Sequence, residues 1–331
     1  MSLLTDQIVC GDALELVRTL PTHSINLVIT SPPYYQQRDY GGGIGNEQSI
    51  ENYIENLLVL MRECVRVLRP DGSIVFNLGD KYEDASLLLV PYRFALEASK
   101  IRSVRLVNAI TWVKTNPTPR QFKRRLVSST EPFFHFAVSD DYYYNPDAFM
   151  SNGAKKEEKI AGANVGKSYF DLINQSGLTA EQKQNARIAL TNVIAEVKAG
   201  KIQSFRMKIR GIHSEPFGGQ AGGRQIQLTN NGFTIIRLHG NPLKRDVIEM
   251  PVESLKGRNH PAMYPVNLVI EFLHLLTREG DMVFDPFMGS GSTAVACKLT
   301  GRHYIGFELN PEYCRSATQR IEETPQLLMK L

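Results

Sequence analysis

The feature that most constrains this chain lies near its C-terminal end. Asp281-Met-Val-Phe284 reads as a short buried strand running into Asp285-Pro-Phe-Met-Gly-Ser-Gly-Ser-Thr293, after which residues 294–299 have helical character. Gly301 ends that helix, residues 303–307 form a second strand closing on Glu308, and Asn310-Pro311 supplies an N-cap and first turn for a helix through Ile321. Strand, glycine turn, helix, strand and acidic residue is the order of a nucleoside-binding βαβ unit. Gly289 and Gly291 let a ligand lie against the main chain, and the Glu308 carboxylate accepts ribose hydroxyls. The turn lacks the lysine of a P-loop, but it formally satisfies the dinucleotide fingerprint, so a nicotinamide enzyme stays open.

A unit that comes so late needs strands from the start of the chain to complete a parallel sheet, which predicts a circularly permuted α/β arrangement. Gln7-Ile-Val-Cys10 is a short strand closing on Gly11-Asp12, followed by a helix with Leu14, Val17 and Leu20 on one face and Pro21 as its stop. Asp12 has two readings, a helix N-cap or an acceptor for an amino group such as that of adenine. Ser24-Ile-Asn-Leu-Val-Ile-Thr30 is a buried parallel-type strand that stops at Ser31-Pro-Pro-Tyr34. Two prolines cannot continue a ladder, so the chain there is rigid and its carbonyls stay free as acceptors. Ligands of open α/β sheets collect at the carboxyl edge of the strands, so Ser31 and Tyr34 are expected to face the crevice bordered by Gly289, Gly291 and Glu308. There Ser31 Oγ and the Pro32 carbonyl accept hydrogen bonds from an amino group, and the Tyr34 ring is a stacking platform.

Charge is segregated along the chain. Residues 1–100 carry 8 basic and 13 acidic side chains, residues 101–258 carry 24 and 13, and residues 259–331 carry 6 and 8. A basic middle suits a polyanion, although a solvated surface has the same composition. Within that middle a charged cluster spans 155–159, and Thr179-Ala-Glu-Gln182 is a capping-box start for a helix with Ala186, Leu190, Val193, Ile194 and Val197 on one side. Arg206, Lys208 and Arg210 alternate as one face of a strand, and a glycine-rich loop over 217–224 ends in Arg224. Lys123-Arg124-Arg125 is a second basic cluster, and residues 41–45 read as a mobile loop. The apolar stretches 87–96 and 266–276 are too short for a membrane span, and the first twelve residues lack a secretory pattern. Four scattered cysteines without CxxC spacing fit reduced thiols in a cytoplasm and imply no metal site.

Thr30-Ser-Pro-Pro-Tyr34 together with Asp285-Pro-Phe-Met-Gly-Ser-Gly291 resembles the amino-methyltransferases of DNA, and the early tetrapeptide with the late glycine loop is the order of their β group. Gly11-Asp12, Leu68-Arg-Pro-Asp-Gly72, Trp112-Val-Lys114 with Asn116-Pro117, and His260-Pro261 extend the resemblance to roughly two thirds of the chain. It implies a circularly permuted Rossmann-like S-adenosylmethionine methyltransferase fold with a DNA-recognition insertion. The implied stretches are a catalytic part over 1–146, a target-recognition region over 147–258 and a cofactor-binding part over 259–331.

By the same resemblance Asp285, Phe287, Gly289 and Gly291, with Ser292 and Thr293 of the same loop, hold the methionine and sugar portions of S-adenosylmethionine. Glu308 holds the ribose and Asp12 meets the adenine. Ser31, Pro32, Pro33 and Tyr34 grip a base flipped out of double-stranded DNA. Lys123, Arg124, Arg125, Arg206, Lys208, Arg210 and Arg224 are the expected DNA contacts. Serine at the head of the tetrapeptide is commoner among cytosine-N4 enzymes and aspartate among adenine-N6 enzymes, so the implied target is cytosine N4, with adenine N6 as the alternative. A restriction endonuclease is the implied companion. An exocyclic amine is a poor nucleophile and a sulfonium methyl a strong electrophile, so the chemistry is orientation followed by direct displacement. Methylation at cytosine C5 needs an attacking thiolate, and none of the four cysteines follows a proline or sits on a catalytic turn. A nicotinamide oxidoreductase and a non-catalytic DNA-binding protein are the competing classes.

Overall fold

The sheet joins the two ends of the chain. In a computed structural model, which describes residues 5–38, 42–117, 124–150, 166–214, 227–238, 244–253 and 264–325, the strands are, in chain order, β1 (Gln7–Cys10), β2 (Ile25–Thr30), β3 (Leu68–Asn77), β4 (Tyr82–Glu83), β5 (Ser86–Leu87), β6 (Arg105–Lys114), β7 (Thr130–Ala137), β8 (Ser204–Ile209), β9 (Phe233–Leu238), β10 (Val247–Met250), β11 (Met282–Asp285) and β12 (His303–Glu308). Eight of them form one sheet in the order β1-β12-β11-β2-β3-β7-β6-β10. β1 runs parallel to β12, with Gln7 beside Ile305 and Cys10 beside Glu308. β11 is parallel to both β12 and β2, whereas β7 lies antiparallel between β3 and β6. This is the permuted Rossmann-like α/β sheet expected from the order of the motifs.

Burial on both faces explains the unbroken apolar runs of the central strands. On one face Val28, Phe76, Phe284 and Phe307 pack with Tyr53, Leu57, Met61 and Phe94 from the helices Ile50–Val67 and Val90–Ala98. On the other face Leu27, Ile29, Val75 and Val283 pack with Phe272, Leu273, Leu276 and Val295 from the helices Val266–Leu276 and Ser292–Thr300. Ser49 caps the first of these helices through Asn52 N, and Asn310 caps the last helix, Pro311–Glu323, through Glu312 N.

Residues Met1–Met150 and Arg245–Leu331 form one compact unit and Ser151–Lys244 a second. The boundary differs from the expected one near 258, because Val247–Met250 adds the edge strand β10 to the main sheet, with Ile248 beside Trp112. In the second unit β8 and β9 form an antiparallel ribbon, and Met207 and Ile209 pack on Ile173, Ala186, Leu190 and Val193 of the helices Lys167–Gln175 and Ala180–Lys198. Thr179 and Gln182 make both bonds of the expected capping box. No described helix is long and apolar enough to cross a membrane.

Candidate active site

The strand order reverses between β11 and β2, and the carboxyl ends of these two strands are where an open α/β sheet binds ligands. Asp285 ends β11 and Thr30 ends β2; the Thr30 hydroxyl donates to Asp285 Oδ1 at 2.7 Å across 255 positions of sequence. Phe287 N donates to the same oxygen, and the Tyr264 and Thr293 hydroxyls bond Oδ2 at 2.9 and 2.6 Å. Burial pushes the Asp285 carboxyl up, against these hydrogen bonds, and pushes the Tyr264 phenol well up. Asp285 therefore ties two loops together with all of its acceptors directed inward. Neither it nor Thr293 nor Gly291 is among the residues that line the neighbouring cavity.

That cavity, of about 860 Å³, is lined by Gly11, Asp12, Phe287, Gly289, Ser292 and Glu308 together with Ser31, Pro32, Pro33, Tyr34, Asn77 and Glu131. Glu308 Oε2 accepts from Gly289 N at 2.9 Å and Oε1 from Asn310 N at 2.8 Å, which fixes the carboxylate against the turn. Its carboxyl is raised, chiefly by burial. Gly289 and Gly291 have φ of 52° and 82°, the left-handed region that other residues enter at a cost. Both readings of Asp12 have a place: Oδ1 caps the first helix through Leu14 N and Glu15 N, and Oδ2 has no hydrogen bond among the described residues.

The tetrapeptide is held from two strands, β3 and β7. The Tyr34 oxygen lies 2.8 Å from Asn77 Oδ1 and 3.1 Å from Glu131 Oε2, either of which can accept its single proton, and the Ser31 oxygen lies 3.1 Å from Asn77 Oδ1 and 3.3 Å from the Tyr34 oxygen. Asn77 Nδ2 bonds the Pro132 carbonyl, which orients the amide so that its oxygen meets both hydroxyls. Glu131 is ion-paired with Lys114, whose ammonium also lies 5.0 Å over the Trp112 ring. One expectation needs correction: the Pro33 carbonyl is not free, because the Tyr53 hydroxyl donates to it at 2.9 Å. The Tyr34 ring lies against Gly79, where a Cβ would stand 2.3 Å from Tyr34 Cε2.

A family model described as DNA methylase, of the N6/N4 type, matches residues 25–319. The chain belongs to this DNA methylase family. The Type II methyltransferase M.Cfr9I of Citrobacter freundii is 26% identical over 94% of this chain and 86% of its own length. Among solved structures, the cytosine-N4-specific PvuII DNA methyltransferase superposes with a TM-score of 0.60 at 19% identity, over 95% of this chain and 85% of its own. A DNA modification methylase of Thermus thermophilus in complex with S-adenosyl-L-methionine gives 0.53 at 20% identity, over 96% and 94%.

The basic residues of the methylase are placed unevenly. Arg125 stacks on Tyr82, 3.7 Å from the ring centroid, and lines the cavity, while Arg124 is exposed beside it. In the second unit Arg206 projects outward from β8, Lys208 Nζ donates to the Ser214 carbonyl, and Arg210 donates to the Thr229 carbonyl and to Gln182 Oε1. Lys123, Arg224, the cluster 155–159 and His260-Pro261 lie outside the described residues. Of the expected mobile loop, Gly42 to Gly45 is described, and its far end is anchored: Ile44 is buried, Gln36 N bonds the Gly45 carbonyl and Gly45 N bonds Glu47. Asn77, Glu131 and Tyr264 are polar site residues that the motifs did not mark. Asn77 was accessible to the same logic as Ser31, a polar residue ending a buried strand.

Proposed function

We propose that this DNA amino-methyltransferase acts on N4 of cytosine in double-stranded DNA, taking the base out of the helix and methylating it by direct displacement. The observation that carries this reading is the 2.7 Å bond from Thr30 to Asp285, because it sets Ser31-Pro-Pro-Tyr34 and the Gly289 turn on one cavity. S-adenosylmethionine, the family's cofactor, supplies an electrophilic sulfonium methyl when bound. The residues present fit it: Glu308 is an anchored carboxylate suited to two ribose hydroxyls, Asp12 Oδ2 is an acceptor suited to an amino group, and Gly289 keeps side chains out of the way. Ser31 Oγ and the Pro32 carbonyl accept from the target amine, which favours the pyramidal, more nucleophilic nitrogen, and Tyr34 stacks on the base. Serine rather than aspartate at position 31 supports cytosine over adenine.

On this reading the second unit, which holds most of the region 147–258, chooses the DNA sequence. Arg124, Arg125 and Arg206 meet phosphates or bases, and Lys208 and Arg210 contribute less, since each already donates to acceptors within the unit. A restriction endonuclease of the same sequence specificity is the companion in a reduced, cytoplasmic setting. The test is to incubate the protein with S-adenosylmethionine and a diverse plasmid, then digest the DNA and weigh its nucleosides. N4-methyldeoxycytidine is expected, and Ser31→Ala is expected to lower its yield by about a hundredfold. N6-methyldeoxyadenosine as the product would move the target to adenine, and wild-type yield from the variant would remove Ser31 from the reaction.

A further inference from the structure

Methylation of an amine leaves one proton too many on the product nitrogen. The new C–N bond forms as the methyl–sulfur bond breaks, the electron pair goes to sulfur, and an N–H bond must then release its proton to a base. Ser31 Oγ is placed to receive it but cannot keep it, since a protonated alcohol is a strong acid. We propose that Glu131 is the terminal acceptor of that proton, reached through the hydroxyls of Ser31 and Tyr34. This assignment rests on the amine-methylating reading above.

The geometry supplies the two links within the protein. Ser31 Oγ lies 3.3 Å from the Tyr34 oxygen, and the Tyr34 oxygen lies 3.1 Å from Glu131 Oε2. As Ser31 takes the substrate proton it passes its own to Tyr34, and Tyr34 passes its own to Glu131, so both hydroxyls are regenerated and the carboxylate ends neutral. These distances exceed the usual 2.7–2.8 Å of O–H···O bonds, and catalytic hydrogen bonds commonly tighten when substrate binds. Two supports hold the chain in place. The Lys114 ammonium on Oε1 fixes the rotation of the carboxylate so that Oε2 faces Tyr34, and Asn77 fixes the two hydroxyls from behind. Asn77 itself offers an amide oxygen, which accepts hydrogen bonds without taking a proton at neutral pH. Among the described groups near the acceptor, Glu131 is thus the carboxylate in hydrogen-bond contact with the tetrapeptide. Lys114 of β6 is the charged group facing it directly, and Asp80, Lys81, Arg125 and Glu253 line the same cavity from the surrounding loops.

The test compares single-turnover methylation of duplex DNA by the wild type, Glu131→Gln and Glu131→Asp across pH 5 to 9, with S-adenosylmethionine and DNA affinities measured separately. The amide keeps the hydrogen bond from Tyr34 but cannot take its proton. Glu131→Gln is expected to lower the transfer rate by about a hundredfold, in line with loss of a general base, and to remove the acid-side fall in rate expected wherever the base is a carboxylate. Both affinities should stay within about twofold, and Glu131→Asp should recover part of the rate together with the acid limb. A Glu131→Gln rate and pH profile equal to the wild type would overturn the assignment. So would a uniform drop at every pH with the acid limb kept, which marks Glu131 as a positioning residue only. Absence of any methylated amine from wild-type reactions would instead defeat the amine-methylating reading itself.

Discussion

At the scale of single residues the site depends on how little room surrounds Tyr34. Its hydroxyl is fixed by Asn77 and Glu131 and its ring lies on the backbone of Gly79, so a Cβ at position 79 would stand 2.3 and 2.4 Å from Cε2 and Cδ2. Contacts of a Cβ that short essentially do not occur, so in Gly79→Ala the ring or the backbone beneath it must shift. A displacement near 1 Å in a reacting geometry costs about a hundredfold in rate. We expect Gly79→Ala to lower kcat by about that factor while S-adenosylmethionine affinity changes by less than about twofold, as read by methylation kinetics and calorimetric binding. A kcat near wild type would show that Tyr34 need not hold this position. Residues of this kind differ in how far sequence reveals them. Ser31 and Glu308 were legible because the first directly follows and the second ends an apolar strand beside a turn. Asp285 was legible as part of the loop but not as a tie, since its partners Thr30 and Tyr264 are supplied by folding rather than by spacing.

At the scale of elements β7 carries a liability that pH exposes. His135 lies in the middle of this strand, fully buried, with Nε2 on Ser73 Oγ at 3.0 Å and Nδ1 without a hydrogen bond among the described residues. Burial pushes its imidazole down to about 4. Above pH 6.5 the ring is neutral in both folded and unfolded chains and costs nothing. Between 6.5 and about 4 the unfolded chain binds a proton that the folded one refuses, so stability falls as pH falls, by at most about 1.4 kcal/mol per unit. Urea unfolding at pH 7 and pH 5 is expected to show His135→Gln losing roughly 2 kcal/mol less than the wild type over this interval. Parallel losses would assign the acid sensitivity elsewhere. The same strand shows what pattern alone leaves out. β1, β2, β11 and β12 were readable from apolar runs ended by turn residues, but nothing in the sequence from Thr130 to Ala137 says that it runs antiparallel, and that direction is what brings Glu131 to the edge occupied by Ser31. β10 was missed for a related reason: in a four-residue edge strand with only Ile248 fully buried, no alternation stands out.

At the scale of the whole molecule the charge segregation seen in sequence is a statement about the polyanion, and its test is salt. Arg206 and Arg237 sit on adjacent strands of the ribbon and differ in one respect. Arg237 pairs with Glu196 through two bonds of 2.6 and 2.9 Å on the face shared with the helix Ala180–Lys198. Arg206 stands opposite Ile236 on the outer face, with no ion pair among the described residues. A cation already neutralised by a carboxylate releases no counterion from DNA, whereas one placed on a phosphate does, and each such contact contributes about 0.9 to the slope of log affinity against log salt. Removing Arg206 should therefore lower that slope by about one and weaken binding to all sequences alike, while removing Arg237 should leave the slope as it was. The measurement is DNA affinity at several salt concentrations for the wild type, Arg206→Ala and Arg237→Ala, with S-adenosylmethionine affinity as the check that the first unit is intact. An unchanged slope for Arg206→Ala would make the outer face of the ribbon an ordinary solvated surface and shift the search for phosphate contacts to Arg124 and Arg125 beside the cavity.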